Sequence, residues 1–482
     1  MPARTGAQYL AGLREQEREV WLRGERVKDV TTHPALRNGA HAVAALYDMQ
    51  HDPALRDEMT YVSPTSGARV GLSFIIPRTR AELEARRDMM LRWARATCGM
   101  MGRSPDFMNV TFAAWGAASA YFARNRPEFG ENIRRYYEHI RENDLTLTHS
   151  LINLQRRRES GSFNLEEGTA LSVVRETDAG IIVRGARILA TLGPFSDEIA
   201  VYSPRLGRMT EGHSPFALNF AVPCGTPGLR FLCRESFDLG RSHFDHPLGS
   251  RFEEMDCVVF FDDVLVPWER VFLLGDVALV NGTAPTTHSS AHSAHQGAAK
   301  NVAKCEFVLG IALLVTETLG NGHLPHTEER IGELMMYTEL MKACMRAAEA
   351  DAQLDEWGVM CPALLPIETT RNLFTSAYPR MVEILQLLGS SSFMMIPGEE
   401  DFASPVGPRI DQYLATETSG ARDRVKLFRL AWDVAGSAFG SRQVLYERFF
   451  AADPLTRARF LASIYPKGEL TERVRAFLAR DA

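Results

Sequence analysis

The texture of the chain changes twice. Helical periodicity over residues 1–145 gives way to β-rich runs over 146–275, and helical periodicity returns over 276–482. Apolar residues recur at three- and four-residue spacing in 81–98 and 105–123, and 127–142 is strongly amphipathic, so each predicts a helix with a buried face. Pro105 follows Ser104, which predicts Ser104 as the cap of the second helix with proline at its first position. The run LSVVRETDAGIIVRGARILATL predicts two strands around a turn at Asp178, Ala179 and Gly180. FALNFAVP, LRFLCR and CVVFFDDVLVP are further strand-like runs broken by Gly and Pro, and together they predict an antiparallel barrel or sandwich. No Gly-x-Gly-x-x-Gly occurs, which argues against a Rossmann nucleotide domain. Beyond residue 276, helices are predicted over 295–319, 327–357, 369–388 and 422–449. The last contains Gly436, Ser437 and Gly440, small residues that permit close approach of a helix or a cofactor.

A chain of 482 residues exceeds one simple core and predicts two to four domains or one large multilayer subunit. The helical, β, helical order matches the acyl-CoA dehydrogenase architecture, an α+β fold with a helical N-domain, a central antiparallel β-domain and a C-terminal helical bundle. That analogy places a flavin between the β-domain and the helices without naming a reaction. A net charge of −6 gives no electrostatic reason to expect a nucleic acid as partner. The seven cysteines are scattered, odd in number and without a Cys-x-x-Cys pair, which predicts a reducing compartment rather than a disulfide framework. The N-terminal segment has no apolar core of a signal peptide, and the longest apolar run, near 307–315, is too short to span a bilayer. A cytoplasmic location with no membrane partner is expected.

Four segments offer chemistry. In GMMGRSPDFMN, Arg103 lies just before a predicted helix N-terminus, a plausible seat for a phenolate or carboxylate; an ordinary surface salt bridge suits the pattern better. In LTLTHSLINLQRRRE, His149 sits in an apolar stretch at the entry to the β-region, where it either satisfies a local hydrogen bond or, beside an arginine, handles a proton. The following Arg156, Arg157 and Arg158 suit either a cofactor phosphate or a solvated face. Thr191 ends a predicted strand just before Gly193 and Pro194, where a hydroxyl could reach a flavin ring nitrogen, although most strand-end threonines have no such role. His288, His292 and His295 are spaced i, i+4, i+7, so they share a face if the segment is helical, and metal ligation is one reading of them.

Taken together, these segments resemble the large component of the 4-hydroxyphenylacetate 3-monooxygenase family. The resemblance runs from RTGAQYL through THPALR, ALYDMQHDP, GMMGRSPDF and DLTLTHSLIN. It continues at VRGAR, FDHPLGSR, EEMDCVVFFDDVLVPWERVF, FRLAWD, FGSRQ and LYERFF, and so covers essentially the whole chain. It implies a two-component hydroxylase. A separate NADH- or NADPH-dependent reductase supplies reduced FAD, which binds non-covalently and reacts with O2. The resulting flavin C4a-hydroperoxide hydroxylates a phenol ortho to its oxygen. The protein then has to supply a dry pocket, orientation and proton control. Carried over, Arg103 and His149 contact the substrate hydroxyl and hold it near the phenolate. Gln155, Arg156, Arg157, Arg158, Thr191, Phe439, Gly440, Ser441, Arg442 and Gln443, together with His149, contact the flavin. Ser203 and Pro204 fall near the substrate-closing loop, and His295 matches a histidine near the flavin. The resemblance also implies a homotetramer.

Two departures from the family pattern bear on the substrate. Phe107 stands where the family has a tyrosine whose hydroxyl reaches the substrate, and Leu154 stands where it often has proline. Losing that hydroxyl removes a hydrogen bond worth about 0.5–1.5 kcal/mol, or about 1.5–3 kcal/mol to a charged phenolate. The substrate is therefore expected to differ from 4-hydroxyphenylacetate: another phenol, a halophenol or a nitrogen heteroaromatic. Other readings remain. A dehydratase of the 4-hydroxybutyryl-CoA type shares the fold, but its cluster needs thiolates where this chain has Gly102 and Ala299. A metal hydrolase would use His288, His292 and His295, and a silent binding or scaffold protein would use none of these residues.

Overall fold

A computed structural model of the chain describes residues 3–154, 165, 168–203 and 209–481. Its N-terminal part holds helices α1 (Gly6–Glu15), α2 (Arg37–Met49), α3 (Arg56–Met59), α4 (Arg80–Ala96), α5 (Asp106–Ala117), α6 (Ser119–Ala123) and α7 (Pro127–Glu142). Local chemistry starts several of them. Thr5 with Gln8, and Thr79 with Glu82, form capping boxes at α1 and α4, each satisfying two backbone donors that a helix start leaves unpaired. Ser104 does not cap α5 as predicted: its hydroxyl donates to the Asp106 carboxylate at 2.5 Å, and the helix begins at Asp106. Nor is 105–123 one helix. It breaks at Ala118, close to Gly116, where a Cβ would lie 2.8 Å from the Tyr137 ring. Helix α5 is buried on nearly every face because it packs between α7 and α9.

The strands before the C-terminal helices are β1 (Glu19–Leu22), β2 (Glu25–Val27), β3 (Thr60–Val62), β4 (Arg69–Gly71), β5 (Leu147–Ser150), β6 (Ile152–Asn153), β7 (Ser172–Thr177), β8 (Gly180–Thr191), β9 (Glu198–Val201), β10 (Leu218–Pro223), β11 (Leu229–Cys233), β12 (Asp256–Pro267) and β13 (Val271–Leu274). One sheet runs β2-β1-β11-β12-β8-β6, with β7 also on β8, and a second runs β13-β10-β9-β5; β3 and β4 pair separately. The predicted antiparallel order needs one correction: β1 pairs with β11, and β5 with β9, in parallel. The β7–β8 turn falls where expected. Gly180 sits at φ +151°, and a Cβ there would reach the Val266 carbonyl oxygen at 2.0 Å.

The C-terminal helices are α8 (Val277–Thr286), α9 (Ser289–Leu319), α10 (Pro325–Ala350), α11 (Leu364–Gly389), α12 (Gly407–Leu414), α13 (Ala421–Ala435), α14 (Ala438–Phe449), α15 (Pro454–Ile464) and α16 (Lys467–Leu478). The predicted helix 422–449 is two, because Ser437 leaves the helical conformation and caps α14 by accepting from the Gly440 N–H at 3.0 Å. Two apolar cores result. One joins the N-terminal helices to the sheets, and the other joins α4 to α9, α10, α11 and α13. This is the acyl-CoA dehydrogenase-like α+β fold, and the candidate site lies where the two cores meet. Among the described residues no helix is long and apolar enough to cross a membrane.

Candidate active site

The loop between α4 and α5 carries Arg103. Gly99 has φ +68°, and a Cβ there would lie 2.7 Å from the Lys304 backbone nitrogen, so the loop runs hard against α9. The Arg103 backbone N–H donates to Glu254 Oε1 at 2.7 Å, and Nη1 donates to the Tyr446 hydroxyl at 2.6 Å. The guanidinium lies over the rings of Phe107 (3.9 Å), Phe450 (5.1 Å) and Tyr446 (5.4 Å). It is 8% exposed, and no carboxylate among the described residues forms an ion pair with it. The neighbouring Arg442 instead takes two, Glu254 at 2.7 Å and Asp256 at 2.7 Å.

His149 is on β5, a strand buried at all four residues. Its ring is stacked between Phe107 (5.3 Å) and Tyr202 (5.8 Å), so Arg103, Phe107, His149 and Tyr202 form one continuous pile. Burial, and secondarily the Arg103 cation, push the imidazole pKa well below its ordinary value. His149 is therefore neutral near pH 7, with one N–H donor and one acceptor nitrogen, and no hydrogen bond from the described residues reaches either.

A cavity of about 540 Å³ opens on this pile. Arg103, Phe107 and His149 line it together with Leu151 to Leu154, Tyr202 and Ser203, the first turn of α9 and the α14–α15 connection at Phe449 and Phe450. That size suits a cofactor ring and a small ligand. Aromatic walls around one uncompensated guanidinium and one neutral imidazole suit an aromatic ring bearing an acidic oxygen.

The other predicted site residues are placed as follows. Ser203 lines the cavity; Pro204, Gln155, Arg156, Arg157 and Arg158 lie outside the described residues. The Thr191 hydroxyl donates to Asp256 at 2.7 Å, and Ser441 is exposed at the start of α14. Phe439 is in the second core, and Gly440 is where α14 passes close to the end of α13. Arg442 is engaged by Glu254 and Asp256. Gln443 accepts from Lys304 at 2.8 Å and donates to the Met100 carbonyl at 3.0 Å. The last four residues thus have partners inside the protein rather than at the cavity.

The histidines do not converge. His288 is not on the helix face but precedes it at φ +51°, and its ring contacts Glu356 at 2.9 Å. His292 accepts from Arg86 at 2.8 Å. His295 does not line the cavity; it is fully buried and donates to Glu349 at 2.7 Å, where Arg87 also donates. Among the described residues no group of three His, Cys, Asp or Glu could hold a metal ion, so neither the hydrolase reading nor an iron–sulfur cluster finds a ligand set.

Sequence reasoning missed Tyr202, Tyr446 and the buried ion network. Glu253, Glu254 and Asp256 take Arg234 and Arg442, while Lys300 and Lys304 share Glu447 at 2.5 Å each. Burial pushes Lys300 down to about 7 despite Glu447. The only sequence signal was the cluster of acids in EEMD at the mouth of an apolar strand, which is unusual unless each acid is paired.

Comparison with known proteins agrees with this geometry. The family models 4-hydroxyphenylacetate 3-hydroxylase N terminal and C terminal match residues 5–273 and 280–479. The chain is 44% identical over 477 residues to the 4-hydroxyphenylacetate 3-monooxygenase oxygenase component of Thermus thermophilus, covering 99% of this chain and 97% of that one. A crystal structure of such an oxygenase component, complexed with FAD and 4-hydroxyphenylacetate, superposes with a TM-score of 0.95 at 44% identity over 99% of both chains. An archaeal 4-hydroxybutyryl-CoA dehydratase from N. maritimus superposes at 0.88 with 18% identity, covering 100% of this chain and 95% of that one, a likeness of fold alone.

Proposed function

Since the chain belongs to the 4-hydroxyphenylacetate 3-hydroxylase family and is the oxygenase component of a two-component FAD- and O2-dependent aromatic hydroxylase, we propose that Arg103 and His149 bind the phenol oxygen of its substrate. The observation that carries this reading is the Arg103 guanidinium: buried, stacked on Phe107, opening on the cavity and paired with no carboxylate among the described residues. Its N–H groups stabilise negative charge on the phenol oxygen, and the acceptor nitrogen of neutral His149 takes the hydrogen bond from the phenol O–H. Both effects move electron density into the ring, which favours hydroxylation ortho to the oxygen. Bound FAD, reduced by a separate flavin reductase, supplies the activated oxygen from O2. The Thr191 hydroxyl, with Ser441 and the segment containing Gln155, Arg156, Arg157 and Arg158, is proposed to hold it. Ser203 and Pro204 are proposed to close over the substrate.

The substrate is proposed to be a small phenol or related aromatic other than 4-hydroxyphenylacetate, because Phe107 offers no hydroxyl. The reductase is proposed to use NADH or NADPH. A homotetramer is proposed as well, supported by α16, which buries no residue within its own chain yet carries Leu470, Val474, Phe477 and Leu478 on one face at 48–68% exposure. A cytoplasmic location is proposed from the free thiols, among them Cys233 and Cys257 only 3.6 Å apart.

The test loads the protein anaerobically with reduced FAD, mixes it with O2 and a panel of phenols, and identifies products by mass. One compound should gain an oxygen ortho to its hydroxyl. Phe107→Tyr should raise kcat/KM for 4-hydroxyphenylacetate by roughly 3- to 100-fold. Equal rates for wild type and variant would eliminate the substrate proposal, and no oxygenated product from any phenol would eliminate the phenol reading.

A further inference from the structure

Resting on the phenol-oxygen reading above, we propose that Tyr446 is the positioning residue of this site: its hydroxyl aims the Arg103 guanidinium and so sets how far a bound phenol is ionised. An arginine side chain has many rotamers, and a buried one is normally aimed by a carboxylate, which also cancels its charge. Here Nη1 is held at 2.6 Å by the Tyr446 hydroxyl, and its other hydrogen bond among the described residues is to the Gly102 carbonyl at 3.3 Å. The guanidinium is a rigid planar fork, so fixing Nη1 between two acceptors fixes the direction of the remaining N–H groups. A neutral hydroxyl does this without adding a negative charge. Burial raises the Tyr446 pKa far above its ordinary value, so the hydroxyl stays neutral across the working pH range.

Tyr446 is itself fixed. Its ring stacks on Phe450 at 5.0 Å and 5°, with the Arg442 guanidinium 4.9 Å and the Lys300 ammonium 5.4 Å from its centroid. Glu254 accepts both the Arg103 backbone N–H and Arg442 Nη1, so α14 controls the backbone and the side chain of Arg103 together. Gly102 completes the arrangement, since a Cβ there would lie 2.2 Å from the Tyr446 hydroxyl. Among the described residues, the ionisable groups facing Arg103 are His149, Tyr202, Tyr446, Glu254, Arg442 and Lys300, and Arg371, Arg457 and Asp453 line the same cavity. Of the first six only Glu254 carries a carboxyl group, and it is engaged by Arg442.

The experiment titrates 4-nitrophenol, whose phenolate absorbs at longer wavelength than the phenol, into FAD-saturated protein across a pH series. Wild type, Tyr446→Phe and Gly102→Ala are compared by difference spectra, with melting temperatures alongside. Wild type should lower the apparent pKa of the bound probe by about one unit or more. Tyr446→Phe should return about 0.5–1 unit of that shift, a roughly 3- to 10-fold loss in the ionisation constant. Gly102→Ala, which displaces the hydroxyl without removing it, should do the same. A purely structural tyrosine would alter melting temperature and leave the bound probe's pKa where it is. A wild-type shift kept by both variants overturns the role of Tyr446 alone. A wild type that never ionises the probe overturns the phenol-oxygen reading and this inference with it.

Discussion

A hydroxyl acquires direction from its partners, and Thr191 is an instance. Asp256 is held below its usual range by Arg442 and Arg234 despite burial, so it is an acceptor only, and Thr191 must give it its proton. What Thr191 keeps is a lone pair, and a reduced flavin ring presents more N–H donors than an oxidised one. Thr191→Val should therefore weaken binding of reduced FAD by about 3- to 10-fold and of oxidised FAD by less, measured by paired anaerobic and aerobic titrations. Equal weakening of both forms would remove the acceptor role. Asp106 shows the opposite electrostatic case. Burial raises its pKa to about 7, with Ser104 and Gln296 hydrogen bonds only partly opposing. Its folded value lies above the unfolded one, so the stability it contributes is present at low pH and is lost as pH rises towards 7. Denaturation curves should show wild type losing on the order of 3–4 kcal/mol relative to Asp106→Asn between about pH 4 and 7, with little further divergence above.

Close backbone approaches fix several joints between elements. At the α13–α14 joint, a Cβ on Gly440 would lie 2.3 Å from the Val434 carbonyl oxygen and 2.7 Å from that of Asp433. Both are backbone atoms and cannot rotate aside. The Asp433 side chain ties the same joint to the 248–249 loop by accepting two backbone N–H groups, at 2.7 and 2.9 Å. Gly440→Ala should cost roughly 1–3 kcal/mol, seen as a lower urea midpoint with an unchanged slope. Individual elements were legible to different degrees. The amphipathic pattern of 127–142 coincides with α7 to the residue, because one face meets α5, α6 and β13 and the other meets water. The run 422–449 reads as one helix because apolar spacing continues through Gly436 and Ser437, and only the capping geometry of Ser437 in three dimensions divides it.

At the scale of the molecule, charge and apolar surface both point beyond a single compact core. Lys300 and Lys304 are buried against the one carboxylate of Glu447. Glu447→Gln would strand two ammonium groups and should destabilise the fold by about 3–5 kcal/mol, read by thermal or denaturant unfolding. The double variant Val474→Glu with Phe477→Glu places charges on the unpartnered face of α16. If the proposed tetramer assembles through this face, the variant should lower the mass seen by light scattering after size exclusion while leaving the helical circular dichroism intact; an unchanged mass would remove α16 as the assembling surface.

The helix, β, helix order and the strand turn at Asp178 to Gly180 were legible in local pattern, because periodicity and turn chemistry are properties of neighbours in the chain. The Arg103 and His149 segments stood out through the family resemblance, since local pattern alone suited a surface salt bridge and a structural histidine. The partners were not. Arg103 meets Tyr446 and Glu254, Arg442 meets Asp256, and His295 turns to Glu349 instead of the cavity. Those pairings join residues from separate helices and strands, and periodicity says which face of an element is buried but not which distant element will cover it. Whether a buried charge is neutralised or left open to a ligand depends on those long-range neighbours, so only the tertiary structure decided that Arg442 is paired with two carboxylates while Arg103 is paired with none among the described residues.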